Sequence, residues 1–282
     1  MDAGTAQDQG MWLVRIFLML AGAYVAIIAA MYLAQTWLLF PTWLMKGGEL
    51  PLPASAARLE VRTPEGERLA GVHLPPAAET RRARSLILGF GGNAWNADGL
   101  ALYLRRLVPD SDVVAFHYRG YRPSTGRPSA AALLADALLV HDHLERTLGP
   151  MPIVAVGVSI GTGPAVYLAR KRPLAGLILV SPFDSLEALA KDHYPWAPVG
   201  LLLRHRMPVA TFMDGVSTPT ALIAAGRDSI IPPERTEAFR RAVGRLVLDR
   251  TIPGAGHNDL YGHPDFPGAM VEALARIERA RR

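Results

Sequence analysis

The chain has 282 residues, 50% of them hydrophobic and 20% charged, which excludes a disordered or low-complexity polypeptide and gives length for one large or two small cored domains. It has no cysteine, so disulfides, iron–sulfur clusters, Cys-based zinc sites and a thiol nucleophile are excluded together. The formal net charge is +5, a sign that fits nucleic acid, an anionic membrane or neither until its position along the chain is known.

Residues 1–10 read as a short N-terminal tail. Residues 16–45 carry no charge, and residues 16–34 are apolar all round. About 20 such residues cross a hydrocarbon core. Trp12 on one flank and Trp37 and Trp43 on the other fit an aromatic belt. A cleaved signal peptide is the alternative. Asp2 and Asp8 stand where a signal peptide has basic residues, and the apolar run is too long, so an uncleaved single-pass anchor over residues 11–40 is favoured. Arg15 and Lys46 nearly balance the charge count on its two sides. The short tail and the long following domain place that domain outside the cytoplasm in this reading. Residues 41–55 are rich in Pro and Gly and read as a linker. The first 50 residues hold two basic and three acidic side chains, so the other 232 hold 28 basic and 22 acidic. The basic excess therefore belongs to residues 56–282. Beside a bilayer it points to anionic headgroups.

After the linker the chain alternates strands and helices. Residues 58–62 and 69–74 predict a leading hairpin. Residues 85–90, 113–118, 153–158, 177–180, 220–225 and 246–252 are short apolar runs whose continuity suits parallel strands buried on both faces. Helices are predicted after the N-cap Ser129 to about Gly149, after Ser159 to before Pro173, from Pro233 to about Val243, and from Pro267 to the end. The fold class is α/β: a doubly wound, mostly parallel sheet of about eight strands with helices on both faces, preceded by one transmembrane helix. Such sheets carry their sites on loops at the carboxyl ends of strands.

Three of those loops carry chemistry. Gly157-Val158-Ser159-Ile160-Gly161 lies between a strand and a helix, the setting of a nucleophile elbow, where the serine needs small neighbours. A plain Gly-rich turn is the alternative. A phosphate loop is disfavoured because no Lys-Ser/Thr pair follows. Asp228 follows the strand at 220–225 and His257 follows the strand at 246–252. The order Ser159, Asp228, His257 is that of nucleophile, acid and base in α/β-hydrolases. His257 would take the Ser159 proton, and Asp228 would fix the imidazole tautomer. Asp184 is the second candidate for the acid. His141, His143, His205 and His263 fit helical or surface positions. In residues 89–96, Gly-Phe-Gly-Gly-Asn-Ala-Trp-Asn, the Asn93 N–H would pair with the Ile160 N–H as an oxyanion hole. Gly92, Trp95 and Trp196 are candidate substrate contacts.

With these motifs in place, the sequence resembles the membrane-anchored α/β-hydrolases of the bud-emergence-protein type, relatives of abhydrolase-domain lysophospholipases and protein depalmitoylases. The resemblance covers most of the chain. Residues 35–41 resemble the family's juxtamembrane segment, and residues 116–121 with Ser124, Gly126, Pro128 and Ser129 its Tyr-Arg-Gly turn. Residues 157–161, 226–232 and 254–257 are similar to its triad motifs, and residues 194–203 to a short insertion after the sixth strand. The family's oxyanion motif usually reads His-Gly-Asn-Ala-Gly-Asn. Here Gly91 stands for the His and Trp95 for the second Gly.

The resemblance implies a serine hydrolase. The segment from Asp184 to Ser217 has 34 residues, which predicts a short lid and an open site. Leu201 to Leu203 and Trp196 either line an acyl channel, touch the bilayer, or pack as ordinary helix core. The leading function is hydrolysis of carboxylic or thioester bonds of a lipid or an acylated protein through an acyl-enzyme, with no cofactor, no metal and no nucleic acid. A serine peptidase on the same fold and a non-catalytic scaffold remain as alternatives.

Overall fold

A computed structural model describes residues 3–45, 50–76 and 85–281. Asp2, Lys46 and residues 46–49 of the expected linker lie outside the described residues.

The domain is built on one eight-stranded sheet: β1 (Ala57–Arg62), β2 (Arg68–Leu74), β3 (Leu86–Phe90), β4 (Asp112–Phe116), β5 (Ile153–Val158), β6 (Gly176–Val180), β7 (Thr220–Ala225) and β8 (Leu246–Ile252), in the order β1-β2-β4-β3-β5-β6-β7-β8. β2 runs antiparallel to β1 and β4, and the pairs from β4 to β8 are parallel. β3, β5, β6 and β7 are buried along their whole length, as their apolar runs predict. Side chains alternate between two cores: Leu86 and Leu88 enter one, Ile87 the other. β8 departs from the expectation of two buried faces. It is an edge strand, mostly exposed, that reads Leu-Val-Leu-Asp-Arg-Thr-Ile, because it has a neighbour on one side alone.

The helices are α1 (Ala3–Leu39), α2 (Ala97–Leu107), α3 (Ala130–Leu148), α4 (Thr162–Lys171), α5 (Leu186–His193), α6 (Val199–Leu202), α7 (Val209–Phe212), α8 (Pro233–Arg240) and α9 (Asp265–Arg281). Core residues of α2 and α9 pack on one face of the sheet and those of α3, α4 and α8 on the other. Ser129 caps α3 by accepting from the Ala132 amide at 3.0 Å. α2 falls outside the helices that periodicity predicts, because its 11 residues begin Ala-Asp-Gly and give a short pattern. Its start is fixed by Asn96, whose side chain accepts from the Asp98 and Gly99 amides. α1 takes in residues 3–10, so the expected tail continues the helix, and its window Gly10–Leu39 is long and apolar enough to cross a membrane. Phe40, one residue beyond α1, is 1% exposed within the core of the domain. Burial of such a ring contributes about 2–3 kcal/mol.

Asp98 fastens α2, and with it the loop before it. Its carboxylate accepts from the Leu50 amide at 3.0 Å and from Arg58 at 2.7 Å, and it is fully buried. Burial by itself raises its pKa; His117 at 3.9 Å, Arg58 and the Leu50 amide outweigh burial and lower it to about 2. The folded state has the lower pKa, so this stabilisation is complete above the unfolded value of ~3.9 and is lost as the pH falls from there. It amounts to about 2 kcal/mol. The urea midpoint of Asp98→Asn is expected to lie below that of the parent at pH 7 and to approach it near pH 2.5. A gap that does not change with pH would refute this origin.

Candidate active site

The chemistry-bearing residues sit at the carboxyl ends of β5, β7 and β8. Ser159 follows β5 directly and has φ of 51°, the left-handed region that costs a non-glycine residue about 1–3 kcal/mol. The turn Ser159–Gly161 leads into α4, and the Thr162 hydroxyl donates to the Ser159 carbonyl at 2.6 Å. The two glycines of the motif are steric requirements. A Cβ on Gly157 would lie 2.7 Å from the Gly161 carbonyl oxygen, and one on Gly161 would lie 2.2 Å from the Phe90 carbonyl oxygen. Backbone occupies both places, so neither contact yields easily.

Asp228 and His257 are brought together by two stitched loops. The Arg227 amide donates to the Ala255 carbonyl at 2.8 Å, and the Arg227 guanidinium caps the Gly254 carbonyl at 2.7 Å. His257 Nδ1 lies 2.7 Å from Asp228 Oδ2, and His257 Nε2 lies 3.0 Å from Ser159 Oγ. The other Asp228 oxygen accepts from the Ile230 and Ile231 amides at 3.0 and 2.7 Å. Burial alone raises the Asp228 pKa; the His257 hydrogen bond and the two amides outweigh it and hold the carboxyl below its ordinary value. A carboxylate beside Nδ1 favours the proton there, which turns the free lone pair of Nε2 toward Ser159. Asp184, the second candidate for the acid, instead pairs with Arg235 at 3.2 Å.

The loop after β3 runs against the elbow. A Cβ built on Gly92 would stand 3.7 Å from the Ser159 Cβ. Asn93 is held through both ends of its side chain: Nδ2 donates to the Leu39 carbonyl at 2.7 Å, and Oδ1 accepts from the Tyr121 hydroxyl at 2.6 Å. The Tyr118 hydroxyl donates to the Gly91 carbonyl at 2.8 Å. The Tyr-Arg-Gly turn after β4 thus braces this loop, a role that the sequence pattern alone did not assign. Tyr121 is buried but its acceptor Asn93 is exposed, so Tyr121→Phe loses one hydrogen bond whose acceptor can turn to water, at a cost of about 0.5–1.5 kcal/mol. Its kcat for an ester is expected to fall about two- to tenfold if that cost is felt in the transition state, with KM little changed. An unchanged kcat would show that the brace does not matter to turnover.

A cavity of about 780 Å³ opens over Ser159 and His257. Gly92, Asn93, Trp95 and Ile160 line it, and the Trp95 ring packs edge-on to Tyr261 at 4.8 Å. Trp196, a candidate substrate contact by sequence, lies outside the cavity, half-exposed, with its carbonyl accepting from the Tyr24 hydroxyl of α1. Its ring is carried off by the turn between α5 and α6, which packs on α1. Among the lining residues that the motifs did not predict, Leu38, Leu39, Pro41 and Leu44, from the end of α1 and just beyond, form one wall. The sequence signal for them was the charge-free run that continues past α1 to Met45. As to metal ligands, His141, Asp142 and Glu145 cluster on α3, but both Asp142 oxygens are held by Arg172 at 2.7 Å.

No protein-family model matches the chain. An uncharacterized protein of Mycobacterium tuberculosis is 34% identical over 218 residues, which cover 74% of this chain and 77% of that one. The lysophosphatidylserine lipase ABHD12 of Gallus gallus is 31% identical over 262 residues, covering 75% of this chain and 68% of the lipase. The chain belongs to the abhydrolase-type α/β-hydrolases. It is a hydrolase enzyme of that fold. The alignment with the mouse ABHD12 spans 57% of that protein's length. Among solved structures, a bacterial membrane phospholipase A matches the hydrolase with a TM-score of 0.62 at 13% identity, over 96% of this chain and 99% of that one. That likeness is one of fold.

Proposed function

We propose that this hydrolase is a membrane-anchored serine hydrolase of the bud-emergence type that cleaves carboxylic or thioester bonds of acyl substrates, a lipid or an acylated protein. The carrying observation is the hydrogen-bonded series from Ser159 through His257 to Asp228, set beside an apolar cavity. Ser159 Oγ attacks the acyl carbonyl carbon as His257 Nε2 takes its proton. The amides of Asn93 and Ile160 hold the oxyanion. The tetrahedral species collapses, the leaving alcohol or thiol takes the proton from His257, and an acyl-Ser159 ester remains. Water then attacks that ester by the same route and releases the acid.

The named activity of the ABHD12 relatives on a lysophospholipid and the apolar wall from the end of α1 both favour a lipid acyl chain as substrate. The division we propose puts a membrane span within residues 11–40, the hydrolase domain in residues 56–282, and that domain outside the cytoplasm. A reporter fused to the C-terminus tests the side. The basic excess of the domain would draw it to anionic headgroups. Vesicle binding that is absent, or indifferent to salt, would remove that part.

The test of the chemistry is labelling by a fluorophosphonate probe, followed by a panel of acyl esters, thioesters, lysophospholipids and aminoacyl amides. Labelling and ester turnover are expected. A protein that takes no label and turns over nothing refutes the reading, and preference for the amides would make it a peptidase.

A further inference from the structure

A second, apolar groove runs beside the cavity of Ser159. Its walls are α1, with Ile28, Met31 and Tyr32, and the lid, with Val199, Leu202 and Leu203; its volume is about 120 Å³. The groove and the cavity adjoin, because Leu38, Leu39, Ala190 and Tyr194 line both. The walls are tied to each other. Gln35 accepts from the Arg204 amide at 2.8 Å and donates to the Leu202 carbonyl at 3.3 Å, and Thr36 Oγ1 lies 2.7 Å from His205 Nε2.

The level of this groove follows from the helix. A span that starts after Arg15 and uses about 20 residues ends near Gln35. The lid touches α1 from Tyr24 to Thr36, that is, along the second half of such a span. The lid surface there exposes large apolar side chains, Leu201 at 82% and Trp196 at 50%, beside the Arg204 guanidinium, which donates to the Tyr32 carbonyl. From Ile28 to Leu39 the helix rises about 16 Å at 1.5 Å per residue, close to the ~15 Å of hydrocarbon in one leaflet.

We propose that this groove is the acyl-chain subsite. It takes a long unbranched acyl chain sideways from the bilayer and delivers the carbonyl at its end to Ser159, so that α1 is part of the substrate site as well as an anchor. The proposal rests on the serine-hydrolase reading above. It commits to the chain of a membrane lipid; the chain of an S-acylated protein has the same chemistry and is the other source.

The experiment uses the full-length hydrolase in lipid nanodiscs and a hexadecyl fluorophosphonate that carries a diazirine near the end of its tail. Phosphonylation fixes the head on Ser159; light then fixes the tail wherever it lies. Adducts are expected in peptides holding residues 28–39 and 199–203. Phosphonylation with tail adducts elsewhere overturns the subsite, whereas no phosphonylation at all is failure of the hydrolase reading itself. Met31→Trp and Leu202→Trp, one from each wall, supply a second readout. The ratio of kcat/KM for hexadecanoyl over butanoyl esters is expected to fall at least tenfold in both, and an unchanged ratio overturns the proposal. Preferred turnover of a hexadecanoyl lysophospholipid over an S-hexadecanoyl peptide assigns the lipid source; the reverse preference overturns that assignment.

Discussion

Ser159→Ala is expected to abolish labelling by a fluorophosphonate and to lower kcat toward an acyl ester by a factor on the order of 10⁶. The size of the loss follows from the geometry. The Ser159 hydroxyl is the group 3.0 Å from His257 Nε2 in the cavity, and its removal takes away the bond-forming atom. The residual rate would be that supplied by oxyanion donors and binding alone. Alanine at φ of 51° keeps the Cβ and therefore the same backbone strain. Stability should therefore be nearly unchanged, and near-parent Tm with lost turnover separates chemistry from misfolding. If the variant keeps more than about one hundredth of the parental kcat, far above the loss of a nucleophile, Ser159 is not the attacking group.

Asp228→Asn is expected to lower kcat by a factor of about 10⁴ at neutral pH. Asp228 accepts three hydrogen bonds, one from His257 and two from the Ile230 and Ile231 amides. The amides fix one oxygen, so the asparagine would keep its carbonyl there and turn its NH₂ toward His257 Nδ1. Nδ1 would then have to accept, the ring proton would move to Nε2, and the lone pair needed by Ser159 would be lost. The pH profile carries the sign. The Asp228 carboxyl is held below its ordinary value, so the parent keeps its carboxylate throughout the neutral range, and acid loss of its activity belongs to another group. A kcat within tenfold of the parent would show that Asp228 does not set the tautomer. The control is Asp184→Asn, which removes a partner of Arg235 and should leave kcat nearly unchanged.

Much of the fold was legible because its signals are local. Four of the strands are buried end to end, and their unbroken apolar runs say so. β8 is mostly exposed despite its apolar run, because it lies at an edge of the sheet and a sequence window carries no information on strand order. α2 escapes periodicity because its 11 residues give a short pattern that opens Ala-Asp-Gly, and the ties that Asp98 makes, to Leu50 and Arg58, are distant in sequence. Trp196 read as a substrate contact for its chemistry and its place in the lid, yet packing on Tyr24 of α1 takes it away from the cavity.

The sequence by itself determined the class of sheet, the order of the loops that carry Ser159, Asp228 and His257, and the apolar run of α1. Each is written in a contiguous stretch through periodicity, small residues at a forced turn, or unbroken hydrophobicity. Tertiary structure alone decided which partners meet. It chose Asp228 over Asp184 for His257, set Tyr121 and the Leu39 carbonyl on the two ends of Asn93, and made the end of α1 a wall of the cavity. Those hydrogen bonds join residues from 28 to 54 positions apart. No local pattern encodes such pairings, since they arise when separate elements bury their apolar faces on the same sheet.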